Sequence, residues 1–232
     1  MIAPIHLQPT AELADRVLLP GDPGRALLLA QALLENPRMF NHNRGLWGYT
    51  GLAADGKPLT IQSSGMGGPS AAIVLAELAE LGARRVIRVG TCGALDGELE
   101  LGELLIAQEA LARDGCSREL GADDRVGAAP ALLDALGAAG EGLVRSATVV
   151  STDLFYDGAH GREQEWIAAG AAAVEMESAA VFTLAARRGI EAAAALIVSD
   201  LLLPERRRIE LVQLRAAEQR LGALAAGALA LA

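Results

Sequence analysis

Residues 64–70 read Ser64-Gly65-Met66-Gly67-Gly68-Pro69-Ser70, and residues 71–95 continue AAIVLAELAELGARRVIRVGTCGAL. The glycines make a turn, Pro69 suits the first turn of a helix, and helix formers run to about Leu81, where Gly82 supplies a C-terminal stop. Val86 to Val89 then reads as a buried strand. Leu59 to Gln62, just before the glycines, reads as another. A strand, a glycine turn, a helix and a second apolar strand in succession are the repeating unit of an α/β fold with a largely parallel sheet.

The same alternation extends in both directions. On the N-terminal side, Arg16 to Leu19 is a buried strand, Gly21 to Arg25 a turn, and Ala26 to Leu34 a helix stopped by Asn36-Pro37. Leu46 to Thr50 and Leu59 to Gln62 flank Ala54-Asp55-Gly56-Lys57-Pro58, whose Asp-Gly pair suggests a hairpin. On the C-terminal side, strands are expected at Leu104 to Ala107, Thr148 to Val150, Ala172 to Val174 and Ala194 to Val198. Helices are expected at Ala131 to Ala139, Ser178 to Arg188 and Glu205 to Ala230. No linker or repeat interrupts the pattern, so residues 1–232 are expected to form one domain.

Composition narrows the function. Hydrophobic residues are 52% and charged residues 21% of the chain, a globular balance. The formal net charge of −9 argues against nucleic acid, whose phosphates need a basic face. A small anion remains a suitable ligand, because a few arginines in a cleft can set the local potential. The N-terminus has no basic region followed by an apolar core, and no run approaches the roughly 18 apolar residues of a membrane span, so a cytoplasmic protein without a membrane partner is expected. Cys92 and Cys116 lie far apart and in no CxxC or Cys/His array, so neither a disulfide framework nor a metal is expected.

In open α/β sheets ligands bind beyond the carboxyl ends of the strands. The residues there are Gly21 to Arg25, Ser64 to Gly68, Arg88 to Gly93, Ser151 to Asp153, Glu175 to Glu177, and Ser199-Asp200. Singly, each has a plain structural reading as turn, helix cap or solvated charge. Together they bring glycines, hydroxyls, arginines and carboxylates to one edge. Backbone amides at a helix start bind anions, and Arg25 and Arg88 add charge-assisted hydrogen bonds, so phosphate is the natural candidate. Neither glycine cluster is a Walker A or GxGxxG sequence. Glu177 has two readings: a partner for vicinal sugar hydroxyls, or an acidic residue favoured in a first helical turn. Phe155 and Tyr156, beside polar loops, suit either a stacking wall for a flat base or plain packing.

Seven pieces in order then resemble the nucleoside phosphorylase family, specifically its hexameric bacterial purine branch. They are PGDPGRA (20–26), NRGLWGYTG (43–51), SGMGGPS (64–70), RVGTCGAL (88–95), LFY (154–156), VEMES (174–178) and VSD (198–200). The resemblance implies a single-domain, three-layer α/β fold with a mixed, mostly parallel sheet flanked by helices, assembled as a homohexameric trimer of dimers. It implies that Gly21, Arg25, Arg88 and Thr91 hold phosphate, with Arg44 donated by a neighbouring subunit. It implies that Met176 and Glu177 hold the ribose, with the neighbour's His6 near the 5′-hydroxyl. Cys92, Gly93, Phe155, Val174 and Ser199 would line the base pocket, and Asp200 would protonate the departing purine. The implied reaction is phosphorolysis of a purine nucleoside to base and ribose 1-phosphate, with inorganic phosphate as co-substrate and no cofactor.

One feature departs from the family. Its arginine about a dozen residues after the acid is replaced by a shortened segment offering Arg206, Arg207 and Arg208, which also suit a solvated helix start. Three competing readings remain. Uridine phosphorylase, the pyrimidine branch, reads its base with a glutamine and an arginine soon after the Phe-Tyr pair, whereas residues 157–162 here are Asp-Gly-Ala-His-Gly-Arg. A hydrolytic nucleosidase would not need Arg25, Arg44 and Arg88 together. A non-catalytic nucleoside- or phosphate-binding module would use the glycine loops for capture alone. The residues leave open a 6-amino or 6-oxo purine and a deoxy or 5′-modified sugar.

Overall fold

In a computed structural model the chain is described over residues 4–156 and 161–232. Residues 157–160, most of the stretch that separates the purine from the pyrimidine reading, lie outside it.

The apolar runs pair into one mixed sheet. Its strands are β1 (Arg16–Pro20), β2 (Glu35–Asn41), β3 (Gly48–Leu52), β4 (Pro58–Gln62), β5 (Arg85–Ala94), β6 (Leu104–Arg113), β7 (Arg125–Gly127), β8 (Arg145–Thr152), β9 (Ala173–Glu175), β10 (Glu191–Leu201) and β11 (Arg207–Arg208). The helices are α1 (Pro23–Leu33), α2 (Gly68–Leu81), α3 (Gly115–Glu119), α4 (Pro130–Ala139), α5 (Arg162–Ala168), α6 (Ser178–Arg188) and α7 (Leu211–Leu231). Their arrangement is the three-layer α/β architecture expected. Helices α1, α4 and α7 pack together, with α7 on β1, β5 and β10, while α2, α3 and α6 form a second group with α6 on β6, β8 and β10.

Local chemistry accounts for the helix ends. Asp22 caps α1 by accepting from the amides of Gly24 and Arg25 at 3.0 and 3.1 Å, with Pro23 in the first turn. Gly82 ends α2 at φ 113°, a backbone region closed to most side chains. The expected hairpin is present: β3 and β4 pair antiparallel around the Asp55-Gly56 turn.

Three expectations are corrected. Asn36-Pro37 does stop a helix, but it lies within strand β2 at the sheet edge, where a missing amide donor is tolerated. The segment from Glu205 is not yet helical: β11 folds back antiparallel on the end of β10, and α7 starts only at Leu211. The sheet, finally, is open only in part. β10 pairs with both β5 and β6, and β6, β8, β9 and β5 complete a closed five-strand ring from which β1, β4, β3 and β2 extend as a wing. β5 allows this because it is long: Arg85 to Val89 pair with β1, and Gly93-Ala94 switch to β9.

The core is continuous from ring to wing. Ala192 to Ala195 of β10 are all buried, and their small side chains admit helices close to the ring. Among the described residues no helix is long and apolar enough to cross a membrane.

Candidate active site

A cleft of about 740 Å³ opens where the ring meets the wing. Twelve of the expected residues line it: Gly21, Arg25, Arg88, Thr91, Cys92, Gly93, Phe155, Val174, Met176, Glu177, Ser199 and Asp200. They do converge, though not on the edge of an open sheet. β9 runs antiparallel to β5, so Glu175 and Glu177 enter the cleft from the direction opposite to Arg88 and Gly93.

At one end lie two buried arginines. Arg25, on α1, donates from Nε to Glu218 Oε1 at 2.9 Å and from Nη1 to the Val89 carbonyl at 3.3 Å. Arg88, near the middle of β5, donates from Nε to Glu175 Oε2 at 3.1 Å and pairs through Nη2 with Glu177 Oε2 at 2.5 Å. Its guanidinium folds over Gly90, where a Cβ would stand 2.7 Å from Nη2, so glycine at position 90 is what admits it. Although burial opposes its charge, the Glu177 and Glu175 carboxylates hold Arg88 above the ordinary arginine range.

The two glutamates differ in purpose. Glu175 is saturated by protein: it accepts from the amides of Glu177 and Ser178 at the start of α6, from the Ser151 hydroxyl and from Arg88. It is an anchor, held by helix-terminal donors and by the arginine it orients. Glu177 accepts from the Gly67 amide at 2.5 Å and from Arg88, and it faces the cleft. Burial pushes its carboxyl above the usual range, with Arg88 opposing the effect and Glu175 adding to it.

The other end is largely apolar, with Leu154, Phe155, Trp166, Val174 and Leu202 in its walls. Phe155 is half exposed and meets Tyr156 edge-on at 4.9 Å, but Tyr156 is not part of the lining. Cys92 is buried, and burial raises its thiol far above the usual range, so it presents a neutral surface. Asp200 is buried here. Its Oδ2 accepts from the Ser199 hydroxyl at 2.8 Å and its Oδ1 from Arg206 at 3.0 and 3.2 Å. Arg206 also stands 5.1 Å over the Phe155 ring. Of the three arginines, Arg206 hydrogen-bonds the acid and Arg208 stands with Nε 4.0 Å from the same Oδ1. The β11 return brings both there, away from the solvated cluster that a helix start would have made.

His6 and Arg44 are not in the lining. His6 lies on the N-terminal segment with Nδ1 2.7 Å from Glu77 Oε1, and Glu77 also accepts from the amides of Ile5, His6 and Leu7. Although burial opposes it, those donors together lower the Glu77 carboxyl, so the contact presents an ionised carboxylate to the imidazole. Arg44 is exposed and adopts a left-handed backbone at φ 58°. Sequence reasoning missed Glu77, Glu218, the support Gly90 gives Arg88 and the anchoring part of Glu175. Only Glu175 carried a signal, a carboxylate between an alanine-rich strand and a helix start. Among the described residues no three His, Cys, Asp or Glu side chains cluster as metal ligands.

Known proteins share this fold. The model of the phosphorylase superfamily matches residues 15–230. The chain is 39% identical over 198 residues to the DeoD-type purine nucleoside phosphorylase of Alkaliphilus metalliredigens, covering 83% of this chain and 84% of the relative. It is 40% identical over 202 residues to the protein of that name from Jannaschia sp., covering 84% and 85%. A solved structure of uridine phosphorylase from Vibrio fischeri, complexed with 6-hydroxy-1-naphthoic acid, superposes with a TM-score of 0.82 at 28% identity over 94% of this chain and 92% of that one. With the family model spanning nearly all of its length and the fold matching as well, the chain belongs to the phosphorylase superfamily.

Proposed function

We propose that this protein phosphorolyses purine nucleosides, releasing the base and (deoxy)ribose 1-phosphate, as a cytoplasmic enzyme of purine salvage. One observation carries the reading: two buried arginines, each braced by a buried carboxylate, share a cleft with a buried aspartate beside an aromatic wall. Gly21, Arg25, Arg88 and Thr91 hold inorganic phosphate, the co-substrate. No cofactor is needed. Met176 and Glu177 hold the sugar, Glu177 accepting from its hydroxyls. Cys92, Gly93, Phe155, Val174 and Ser199 surround the base, and Asp200 donates a proton to it.

In the reaction, phosphate attacks the anomeric carbon as the bond to the base breaks, through an oxocarbenium-like state. The arginines replace a chance encounter with a positioned one. Protonation makes the base a better leaving group, in the manner of general acid catalysis. Arg44 and His6 complete the site from a neighbouring subunit in a homohexamer. The relatives named for purine nucleosides support the purine branch. The structural likeness to uridine phosphorylase favours uridine as the second reading, and a binding module without turnover is the third.

Adenosine, guanosine, inosine and uridine, each assayed with and without phosphate, test these three and the hydrolytic alternative. Purine release that requires phosphate and yields ribose 1-phosphate is expected. Equal release without phosphate would establish hydrolysis, uridine cleavage alone would establish the pyrimidine reading, and binding without release the third.

A further inference from the structure

Arg25 depends on a residue 193 positions away in sequence. Its Nε is held by Glu218 of α7, which is 2% exposed and lines no part of the cleft. The other Glu218 oxygen accepts from Arg215 Nη1 at 2.9 Å, one turn earlier on the same helix, where the Arg215 side chain is 46% exposed. With Nη1 on the Val89 carbonyl, Arg25 keeps Nη2 without a protein partner among the described residues.

A buried carboxylate is unfavourable unless paired, and one arginine would suffice to pair it. That simple pair would be neutral and would leave little attraction for an anion. Arg215 changes the balance, because two guanidinium groups around one carboxylate leave a net positive charge. The bond at Nε also fixes the plane of the Arg25 fork, on which directed hydrogen bonding to phosphate depends.

We propose that Glu218 is a positioning residue for phosphate binding: it clamps Arg25 so that Nη2 faces the cleft, while Arg215 offsets the carboxylate and keeps the Arg25 charge available. The proposal rests on reading the cleft as a phosphate site.

Glu218→Asp tests it at constant charge, since it withdraws the carboxylate by one methylene and leaves the electrostatics nearly unchanged. The KM for phosphate is expected to rise about tenfold, the scale of one charge-assisted hydrogen bond, with the nucleoside KM within about twofold of wild type. The rise in melting midpoint that inorganic phosphate produces should shrink in parallel, a readout independent of turnover. In an Arg25→Lys background, which lacks the guanidinium Nε, Glu218→Asp should have no further effect. Three results would each overturn the proposal: a folded Glu218→Asp protein with unchanged phosphate KM, a joint rise of both KM values, or an effect of Glu218→Asp that persists in the Arg25→Lys background. If Glu218→Asp does not fold, Arg215→Met serves instead. It lowers the local potential and frees the carboxylate, so the phosphate KM should rise about threefold, a partly screened charge effect. No change would overturn the proposal. Wild-type protein that releases base equally without phosphate sinks the functional reading. Phosphate-dependent wild type with a silent Glu218→Asp sinks this inference alone.

Discussion

At the scale of single residues, Asp200, the proton donor proposed above, is held at both carboxylate oxygens. Ser199 and Arg206 occupy its two oxygens, and Arg206 also covers the Phe155 ring against which a base would lie. Asp200→Asn keeps a hydrogen-bonding shape but has no transferable proton. Its kcat on inosine is expected to fall by about 10²- to 10⁴-fold, the usual contribution of general acid catalysis. A 7-methylated inosine already carries the positive charge, so the variant should cleave it nearly as fast as wild type. Steady-state kcat on both substrates checks this, and an equal fractional loss on the two would remove Asp200 as proton donor. The arginine beside it was not legible in advance. Three consecutive arginines look alike in a sequence, and only the antiparallel return of β11 onto Asp200 and Leu201 decides that Arg206 hydrogen-bonds the acid while Arg208 stands 4.0 Å from it.

At the scale of elements, one buried arginine ties three of them together. Arg16 of β1 donates to both Asp55 oxygens in the β3–β4 turn at 2.7 and 2.8 Å, to the Pro58 and Lys57 carbonyls, and to the Leu229 carbonyl of α7 at 3.3 Å. The Arg16 hydrogen bonds outweigh burial and lower the Asp55 carboxyl from 3.8 to about 2. A depressed carboxyl stabilises the fold above its unfolded value and loses that contribution as it protonates. The stabilisation is therefore full above about pH 4 and lost as pH falls toward about 2. Asp55→Asn should destabilise by about 1–2 kcal/mol at neutral pH, discounted because Asp55 is partly exposed. The difference from wild type should close near pH 2. Urea unfolding of both proteins at about pH 7 and about pH 2.5 measures it, and a pH-independent difference would show that the carboxylate charge contributes nothing. Nearby, α7 crosses α1 at Gly222, where a Cβ would collide with the Leu29 side chain, so the crossing depends on glycine there.

At the scale of the whole molecule, the protomer leaves two expected site residues outside its own cleft. His6 is held by Glu77, and Arg44 stands exposed in a left-handed conformation that costs a non-glycine residue about 1 kcal/mol or more. In the function proposed above, both would be donated to a second copy. A chain carrying Arg44→Ala and one carrying Glu177→Ala, each inactive alone, should regain activity when assembled together, because some sites then receive both intact partners. Activity of verified mixed oligomers against each variant alone is the measurement. No recovery in such oligomers would place every residue of a working site in one subunit.

The sequence by itself determined most of the elements and about half of the residues that line the cleft. Apolar runs, helix caps and glycine stops act over a few residues, so α2, α6 and the β3–β4 hairpin could be read directly, as could the strand-end segments that supply ten of the twelve expected cleft residues, while the family resemblance added Phe155 and Val174. Tertiary structure alone decided the ring closure, because β5 changes partner from β1 to β9 along its length and no local pattern encodes a change of neighbour. It also decided the supports of the site. Glu218 reaches Arg25 across 193 positions and Glu77 reaches His6 across 71, pairings set by how α7 and α2 pack, which no local pattern of residues contains.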